Sequence, residues 1–454
     1  MVAGAMRPAW CTSRRIRLSF IAVLAVSTLV VSACKPSAAS CYQIVASRGS
    51  FYASSDNIGS SFAFVPGAGV TETSTTVSTV TPAWSTDGRL ARYDGVARQW
   101  IISDVAGTVV ASFAGEVADY SDVAWSPDNT RLLYTVGTTY TAAGMAVVAA
   151  DGKTPPVPVA VPTANRRLES HPEWSPDSRS LAWVTGPADL SVAPHPYDVV
   201  VGPADGSTSR VLWSTPDAAT APTGLSWSRT GRLAWAVDGR LYVTGPGGAN
   251  VAEVPLEGYT QPRRPRWSPD GTRLALAART PGGERLISIT PAGRDVRDLT
   301  PDPLPAPPPL PDGWTFVEWT IGQFTWSPTG ERVAWSLIGE TTGSSGLGFY
   351  RPFGWTKADT SGDRQLGDPF STWDLALDWS PDGQWLAYSS NTNGAGIGTI
   401  QSSYTRVFAT VIAVDGSVSL PVGTYLYLPT WNPAKAMLCR PRTTNTTINP
   451  GGSA

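Results

Sequence analysis

The chain has 454 residues with 34 basic and 36 acidic side chains, for a formal net charge of −2 at neutral pH. No basic stripe accompanies that balance, so the electrostatic footprint of a nucleic-acid binder is missing. Only 15% of residues are charged, while 44 are Gly, 40 are Pro and 19 are Trp, a composition that suits a turn-rich all-β protein.

Residues 1–33 read as an address label rather than as part of the fold. Arg14, Arg15 and Arg17 precede a largely apolar run of 16 residues, Leu18 to Ala33, which is short for a membrane span. The run ends Val31-Ser32-Ala33-Cys34 and resembles a bacterial lipoprotein signal, in which an aliphatic residue and two small ones precede the cysteine that receives lipid. A plain secretory signal also ends in small residues; the cysteine at this place favours lipidation. The expectation is cleavage before Cys34, acylation there, and a hold on the outer face of a membrane that needs more than one acyl chain to last. Without residues 1–33, which carry four Arg and no acids, 30 basic groups face 36 acidic ones, giving −6. Residues 34–40 form a lipidated tether spanning roughly 20 Å at about 3.3 Å per residue.

Cys11 leaves with the label, and Cys41 and Cys439 remain at opposite ends of the mature chain. An extracytoplasmic compartment permits disulfides, so these two are expected to pair across a seam; two unrelated buried thiols are the alternative. Residues 42–80 hold strand-like pieces, Tyr42 to Val45, Phe62 to Val65 and Thr71 to Val80, and no tryptophan.

From Trp84 onward one unit recurs, with a tryptophan at 84, 125, 174, 227, 267, 326, 379 and 431. Successive intervals run from 40 (267−227) to 59 residues (326−267). The fullest copies are Trp267-Ser268-Pro269-Asp270-Gly271 with Leu274-Ala275, and Trp379-Ser380-Pro381-Asp382-Gly383 with Leu386-Ala387. A short run before the Trp makes one strand. Pro and Gly then set a tight turn. Short apolar runs such as Leu132-Leu133-Tyr134 follow, and Val147 to Ala150 closes on Asp151-Gly152; runs this short between turn signals suit strands. Four strands per unit at this period predict a closed β-propeller whose blades lean on one another. The Trp is then an inter-blade wedge in preference to a ligand contact. The last motif, Trp431-Asn432-Pro433, has only Met437-Leu438-Cys439 behind it. It and residues 42–80 therefore complete one shared sector, which makes eight blades, with seven the alternative. The propeller spans 41–441, and the tail 442–454 reads as disordered.

Three insertions break the rhythm. Asp302 to Asp312 is proline-rich and unfit for a strand. Asn391 to Tyr404 is rich in Asn, Gly and Ser. Gly339 to Asp368 carries Phe349, Tyr350, Phe353 and Trp355 among glycines, either as an exposed interaction surface or as a lid that packs on itself. Insertions in repeats often gather over a binding face.

The repeated Trp-Ser-Pro-Asp-Gly-x-x-Leu-Ala is similar to the TolB-type propeller repeat, a relative of the WD repeat, from Trp84 to Trp431. Departures are Thr86 in the first copy, Arg229-Thr230 in the fourth, Thr329 in the sixth and Asn432-Pro433-Ala434 in the last. TolB itself has six blades and an extra amino-terminal domain, for which this chain leaves no room, so the resemblance is to the repeat. It implies protein partners at the cell envelope.

Catalytic signatures are sparse. The two histidines are His171 and His195. There is no Gly-x-Ser-x-Gly elbow, zinc spacing, phosphate loop or calcium loop. Some peptidases carry such propellers ahead of a hydrolase domain, but only 23 residues follow Trp431 (454−431). No cofactor or metal is expected, and the Ser-Pro-Asp aspartates read as turn residues. The remaining candidate is the centre of the ring. Residues one and three before each Trp share a face that is mostly small or polar, and position two is apolar. Glu173, Asp378, Arg264, Arg266, Asp122 and His171 are the charged or titratable members. They either solvate a water-filled pore or grip a peptide or glycan. The reading is a monomeric, non-catalytic, lipid-anchored binding propeller that recognises an envelope protein or peptide through its channel mouth and loops. The alternative is a hydrolase of envelope glycans or peptides using channel carboxylates.

Overall fold

In each repeat the hydroxyl of the serine after the tryptophan fixes the turn that follows. Ser85, Ser126, Ser175, Ser268 and Ser380 donate to Asp87, Asp128, Asp177, Asp270 and Asp382 at 2.5–2.6 Å. The same oxygens accept the N–H that starts the next strand, as from Arg131 at 2.9 Å and Trp385 at 2.9 Å. Where threonine replaces the aspartate, hydroxyl pairs substitute: Ser228 with Thr230 at 3.0 Å and Ser327 with Thr329 at 3.2 Å. The fourth turn position is left-handed throughout, with Gly271 at φ 73°, Asn129 at φ 61° and Ser178 at φ 61°. Asp177 and Asp270 are held below the usual carboxylate range chiefly by the Ser175 and Ser268 hydroxyls. These aspartates are turn fasteners, as their spacing predicts.

The computed structural model describes residues 40–48, 58–65, 69–77 and most of 82–434, with 437 and 438. Residues 1–39 and 439–454 and connecting stretches that include 116–122, 137–143, 368–376 and 392–406 lie outside the described residues. Cys34 and Cys439, and with them the lipid site and the expected disulfide, therefore fall outside it.

Seven four-stranded blades stand in a ring, each wound from one continuous length of antiparallel chain: 83–114, 123–159, 166–215, 223–254, 260–298, 315–367 and 377–424. We number them 1 to 7. Seven is the smaller of the two counts open from the sequence. The remaining sector is a composite sheet: Gly69–Val77, Ile58–Val65 and Ser40–Arg48 from one end of the chain, completed by Leu426–Trp431 from the other. Both ends thus share a sector, and Ser40-Cys41 lies opposite Met437-Leu438.

The tryptophans lock neighbouring sectors. The indole N–H of Trp125 donates to the carbonyl of Ala83, the residue before the preceding blade's Trp, at 3.0 Å. Trp174 repeats this on Ala124 (3.2 Å), Trp267 on Ser226 (3.1 Å), Trp326 on Arg266 (3.1 Å), Trp379 on Thr325 (3.2 Å) and Trp431 on Asp378 (3.1 Å). Trp84 and Trp227 make no such bond. Arginines cover two of the rings, Arg89 above Trp125 at 4.8 Å and Arg131 above Trp174 at 5.2 Å. The strand ending in Trp is therefore innermost, because these strands meet one another blade to blade.

Closure uses the last motif on both sides. Trp431 N–H donates to Asp378 Oδ2 at 2.8 Å, and Asn432 Nδ2 reaches Gly88 O in blade 1 at 3.5 Å. Ile44 and Trp431 pack with Val411 and Val422 of blade 7.

Antiparallel order sorts the connections by end. The Ser-x-Asp turns and the turns between third and fourth strands share one end of the ring. The connections between second and third strands, and those from blade to blade, share the other. The proline-rich connection after blade 5 and the projection of blade 6 fall at this second, variable end; residues 392–406 lie outside the described residues. In blade 6, Thr315–Trp326 and Arg332–Gly343 run on beyond the blade, and Gly346–Tyr350 adds a third strand to the projection. Trp319 of the projection donates to Pro305 O at 3.1 Å, so the proline-rich loop braces it.

Two of the four insert rings are not a loop surface. Phe353 and Trp355 lie in the strand Phe353–Lys357, only 1% and 9% exposed, with Trp355 Nε1 bonded to Val414 O of blade 7 at 2.8 Å. They are buried because this strand, expected as a loop for its glycines, is the third strand of blade 6. Phe349 and Tyr350 belong to the added strand Gly346–Tyr350, and their side chains lie outside the described residues.

Candidate functional site

The predicted alternation along the inner strands holds. One residue before the Trp, Ala83, Ala124, Glu173, Ser226, Thr325 and Asp378 are half-buried and Arg266 is exposed. One residue further back, Pro82, Pro172, Leu225, Pro265 and Phe324 are buried, with Val123 and Leu377 half-buried. The first set is the more open face of the inner strands. The second anchors each strand to its own blade.

The charge on that face concentrates on blade 5. Its inner strand, Thr260–Trp267, carries two register shifts, and Gln261 and Arg264 take left-handed backbone at φ 49° and φ 51°. For non-glycine residues this stores strain of about 1–3 kcal/mol each, a feature that gathers at ligand sites. Two neighbours fix the distorted strand. Buried Glu284 accepts from Arg263 Nε at 2.9 Å and from the Ile321 N–H of blade 6 at 2.6 Å. Arg264 Nη2 donates to the carbonyl of the same Ile321 at 2.8 Å and its guanidinium lies 5.8 Å from the centre of the Phe324 ring. Ile321 is thus held by blade 5 through both sides of its peptide link.

Arg266 reaches the other way. Its Nη1 donates to Leu225 O of blade 4 at 3.0 Å and stands 3.8 Å from Glu173 Oε1 of blade 3. The pair passes over blade 4, where Gly224 packs closely on Arg264 and Pro265 and the Ser226 hydroxyl accepts from the Trp267 N–H at 3.4 Å. A pair this exposed (45% and 40%) contributes only about 0–1 kcal/mol. It is an exchangeable contact.

Comparison with known proteins gives a likeness of fold. No protein-family model and no curated protein sequence matches the chain. A putative dipeptidyl aminopeptidase IV from Bacteroides ovatus is similar at 11% identity with TM-score 0.54, over 82% of this chain and 59% of that one. TolB from Acinetobacter baumannii matches at 15% identity and TM-score 0.38 over 77% of this chain and 81% of that one. An oligogalacturonate lyase in complex with manganese matches at 14% and 0.47, over 69% and 85%. This is a β-propeller.

The propeller does not bring all the predicted site residues together. Glu173 of blade 3 and Arg266 of blade 5 meet, while Arg264 turns to Ile321 of blade 6. Asp378 sits apart on blade 7 at the closing seam, where its carboxylate takes the Trp431 N–H. Asp122 and His171 lie outside the described residues. Sequence reasoning placed Gly224 and Ser226 on the same strand face as Arg264 and Arg266 but missed Glu284, which fixes the distorted strand to blade 6. Two grooves of about 340 Å³ each lie at the uniform-turn end, over Arg273 and Arg297 and over Arg332 and Lys357. Arg273 is spent on Asp295 at 2.5 Å and on Ser288 O at 2.9 Å, and Arg297 on the same Asp295 at 3.1 Å, so these arginines fasten turns.

Asp378 makes the seam sensitive to pH. Burial pushes its carboxyl up to about 7, against the opposing pull of the Trp431 and Trp379 N–H groups. The folded chain therefore holds this proton more tightly than the unfolded chain, whose carboxyl titrates near 3.8. The resulting stabilisation is complete below that lower value, declines as pH rises, and is gone above about 7. In Asp378→Asn the amide oxygen still accepts from Trp431 and the titration is removed. Melting curves from pH 4 to 8 should show the variant gaining on the wild type as pH rises; a constant gap refutes this assignment.

Proposed function

We infer that the chain is a lipid-anchored, non-catalytic binding propeller of the cell envelope, taking a protein or peptide partner at its variable end. One observation carries the reading. The proline-rich connection and the blade 6 projection stand at one end of a ring whose inner strand Thr260–Trp267 is strained and charged, while uniform Ser-x-Asp turns occupy the other end. Rigid blades with variable loops suit recognition. A fold alone assigns no activity; of the two carboxylates offered for hydrolysis, Asp378 is tied to the seam through the Trp431 N–H.

Anchoring and capture are tested together. The wild-type chain should fractionate with membranes and, after cross-linking in its own cells, carry an envelope protein in stoichiometric yield. Cys34→Ser should move it to the soluble fraction. An unchanged membrane fraction removes the lipid anchor from this account. Turnover of envelope glycans or peptides that disappears in Glu173→Gln replaces binding with hydrolysis.

A further inference from the structure

We propose that the edge of the blade 6 projection formed by Gly346–Tyr350 takes an extended, basic peptide as an added β-strand. This rests on the binding reading above and names its ligand chemistry. The projection is braced on one side and open on the other. On the side of Thr315–Trp326 the proline-rich connection is tied in, with Trp319 Nε1 on Pro305 O at 3.1 Å and Leu304 against the core that holds Trp319. Gly346–Tyr350 pairs with Arg332–Gly343 and, among the described residues, with no strand on its other side. Such an edge offers a row of N–H and C=O groups that another extended chain matches.

The register says which groups these are. Gly343 opposite Gly346 closes the hairpin, and bonded pairs alternate with non-bonded ones from there. Gly346, Gly348 and Tyr350 therefore bond inward, and the N–H and C=O of Leu347 and Phe349 point away from Arg332–Gly343. Charge then selects the occupant. Glu318 and Glu340 stand directly opposite each other on the projection, a repulsive placement. Glu318 takes Arg279 of blade 5, and Glu340 shares that cation only at longer range. Glu340 makes no ion pair of its own among the described residues, and it lies opposite Phe349, one strand in from the edge. A strand added at the edge runs roughly 10 Å from Glu340, two strand spacings, which the side chains of arginine and glutamate span together. An acidic peptide would instead bring a third like charge.

The test uses the full chain in detergent micelles and fluorescence anisotropy of labelled peptides. The probe is an octapeptide of alternating threonine and arginine. N-methylation of every second residue leaves it one donor edge, so it should still bind; methylation throughout leaves none and should weaken binding about tenfold or more. Phe349→Pro removes an outward N–H and should abolish binding while the melting temperature stays in place, because edge positions tolerate proline. Phe349→Thr keeps the N–H and should keep binding. Glu340→Gln should weaken it about twofold to fivefold, the scale of a cross-strand charge pair, without loss of stability. The proposal is overturned if the fully methylated peptide binds like its parent, if a threonine–glutamate peptide binds as well, if Phe349→Pro and Phe349→Thr behave alike, or if Glu340→Gln changes nothing. Dimerisation of the wild type that Phe349→Pro abolishes gives the edge to a second copy instead. Envelope-protein capture that persists in Phe349→Pro while the peptides fail to bind sinks this site and leaves the binding function standing. Loss of capture in the wild type sinks the function itself.

Discussion

Trp125→Ala will lower the unfolding free energy by about 3–5 kcal/mol, the range for truncating a large buried aromatic residue. Trp125 is 9% exposed and sits between blades 1 and 2, where its N–H reaches Ala83 O at 3.0 Å and Arg89 covers its ring. Three contacts are lost together: the buried ring, the indole bond and the arginine stack. Trp125→Phe separates them. It keeps most of the apolar area but leaves the Ala83 carbonyl without its partner, and should cost about 1–3 kcal/mol. Denaturant titration of the two variants against the wild type measures both quantities. A loss below about 1 kcal/mol for the alanine variant would show that the blades do not depend on this wedge. Equal stability of the phenylalanine variant and the wild type would remove the indole bond from the account. Because each blade is held by its neighbours, one missing wedge weakens the whole ring.

The second large effect is at Gly224. Its φ is 68°, and a Cβ built there would lie 2.4 Å from Arg264 Cα and 2.5 Å from both Arg264 C and Pro265 Cδ. Two of these three atoms are backbone and the third belongs to a fixed ring, so nothing can swing aside. Gly224→Ala combines a left-handed residue bearing a side chain, about 1–2 kcal/mol, with overpacking of about 1–3 kcal/mol. The added methyl also drives the strand Thr260–Trp267 away from blade 4, moving both Arg264 and Arg266. The variant should unfold at lower denaturant. Ser226→Ala, two residues on, adds no atom and removes only the long 3.4 Å contact from the Trp267 N–H, so it should cost no more than about 1 kcal/mol. A Gly224→Ala chain as stable as the wild type would mean that blades 4 and 5 are not in the contact described.

Much of this architecture was legible because each repeat states the same local instruction. A serine hydroxyl, an aspartate and a residue able to take left-handed backbone define the turn, and the copies with Thr230 and Thr329 keep it through hydroxyl pairs. The two faces were legible for the same reason: period-two alternation puts Glu173 and Arg266 on the more open face of their strands and Pro172 and Pro265 on the buried one. Phe353 and Trp355 were not read correctly, since glycines at 343, 346, 348 and 354 suggested a loop. The overlooked cue is the apolar run ending on Asp359-Thr360-Ser361-Gly362, which parallels Val147 to Gly152. The contact between Glu173 and Arg266 could not be read from either repeat. It depends on what blade 4 lacks, and only the curvature of the ring brings residues two blades apart within 4 Å.

The composite sector also governs when the molecule can finish folding. Ser40–Arg48 is among the first segments synthesised, yet its inner partner Leu426–Trp431 comes after all seven blades. Until that segment arrives, the strand has an unsatisfied row of backbone donors and acceptors, the kind of edge that recruits foreign strands. Pairings so distant along the chain are slow to form. A nascent or prematurely terminated polypeptide is therefore a gapped arc with two adhesive rims, and it is at this stage that aggregation threatens the protein most.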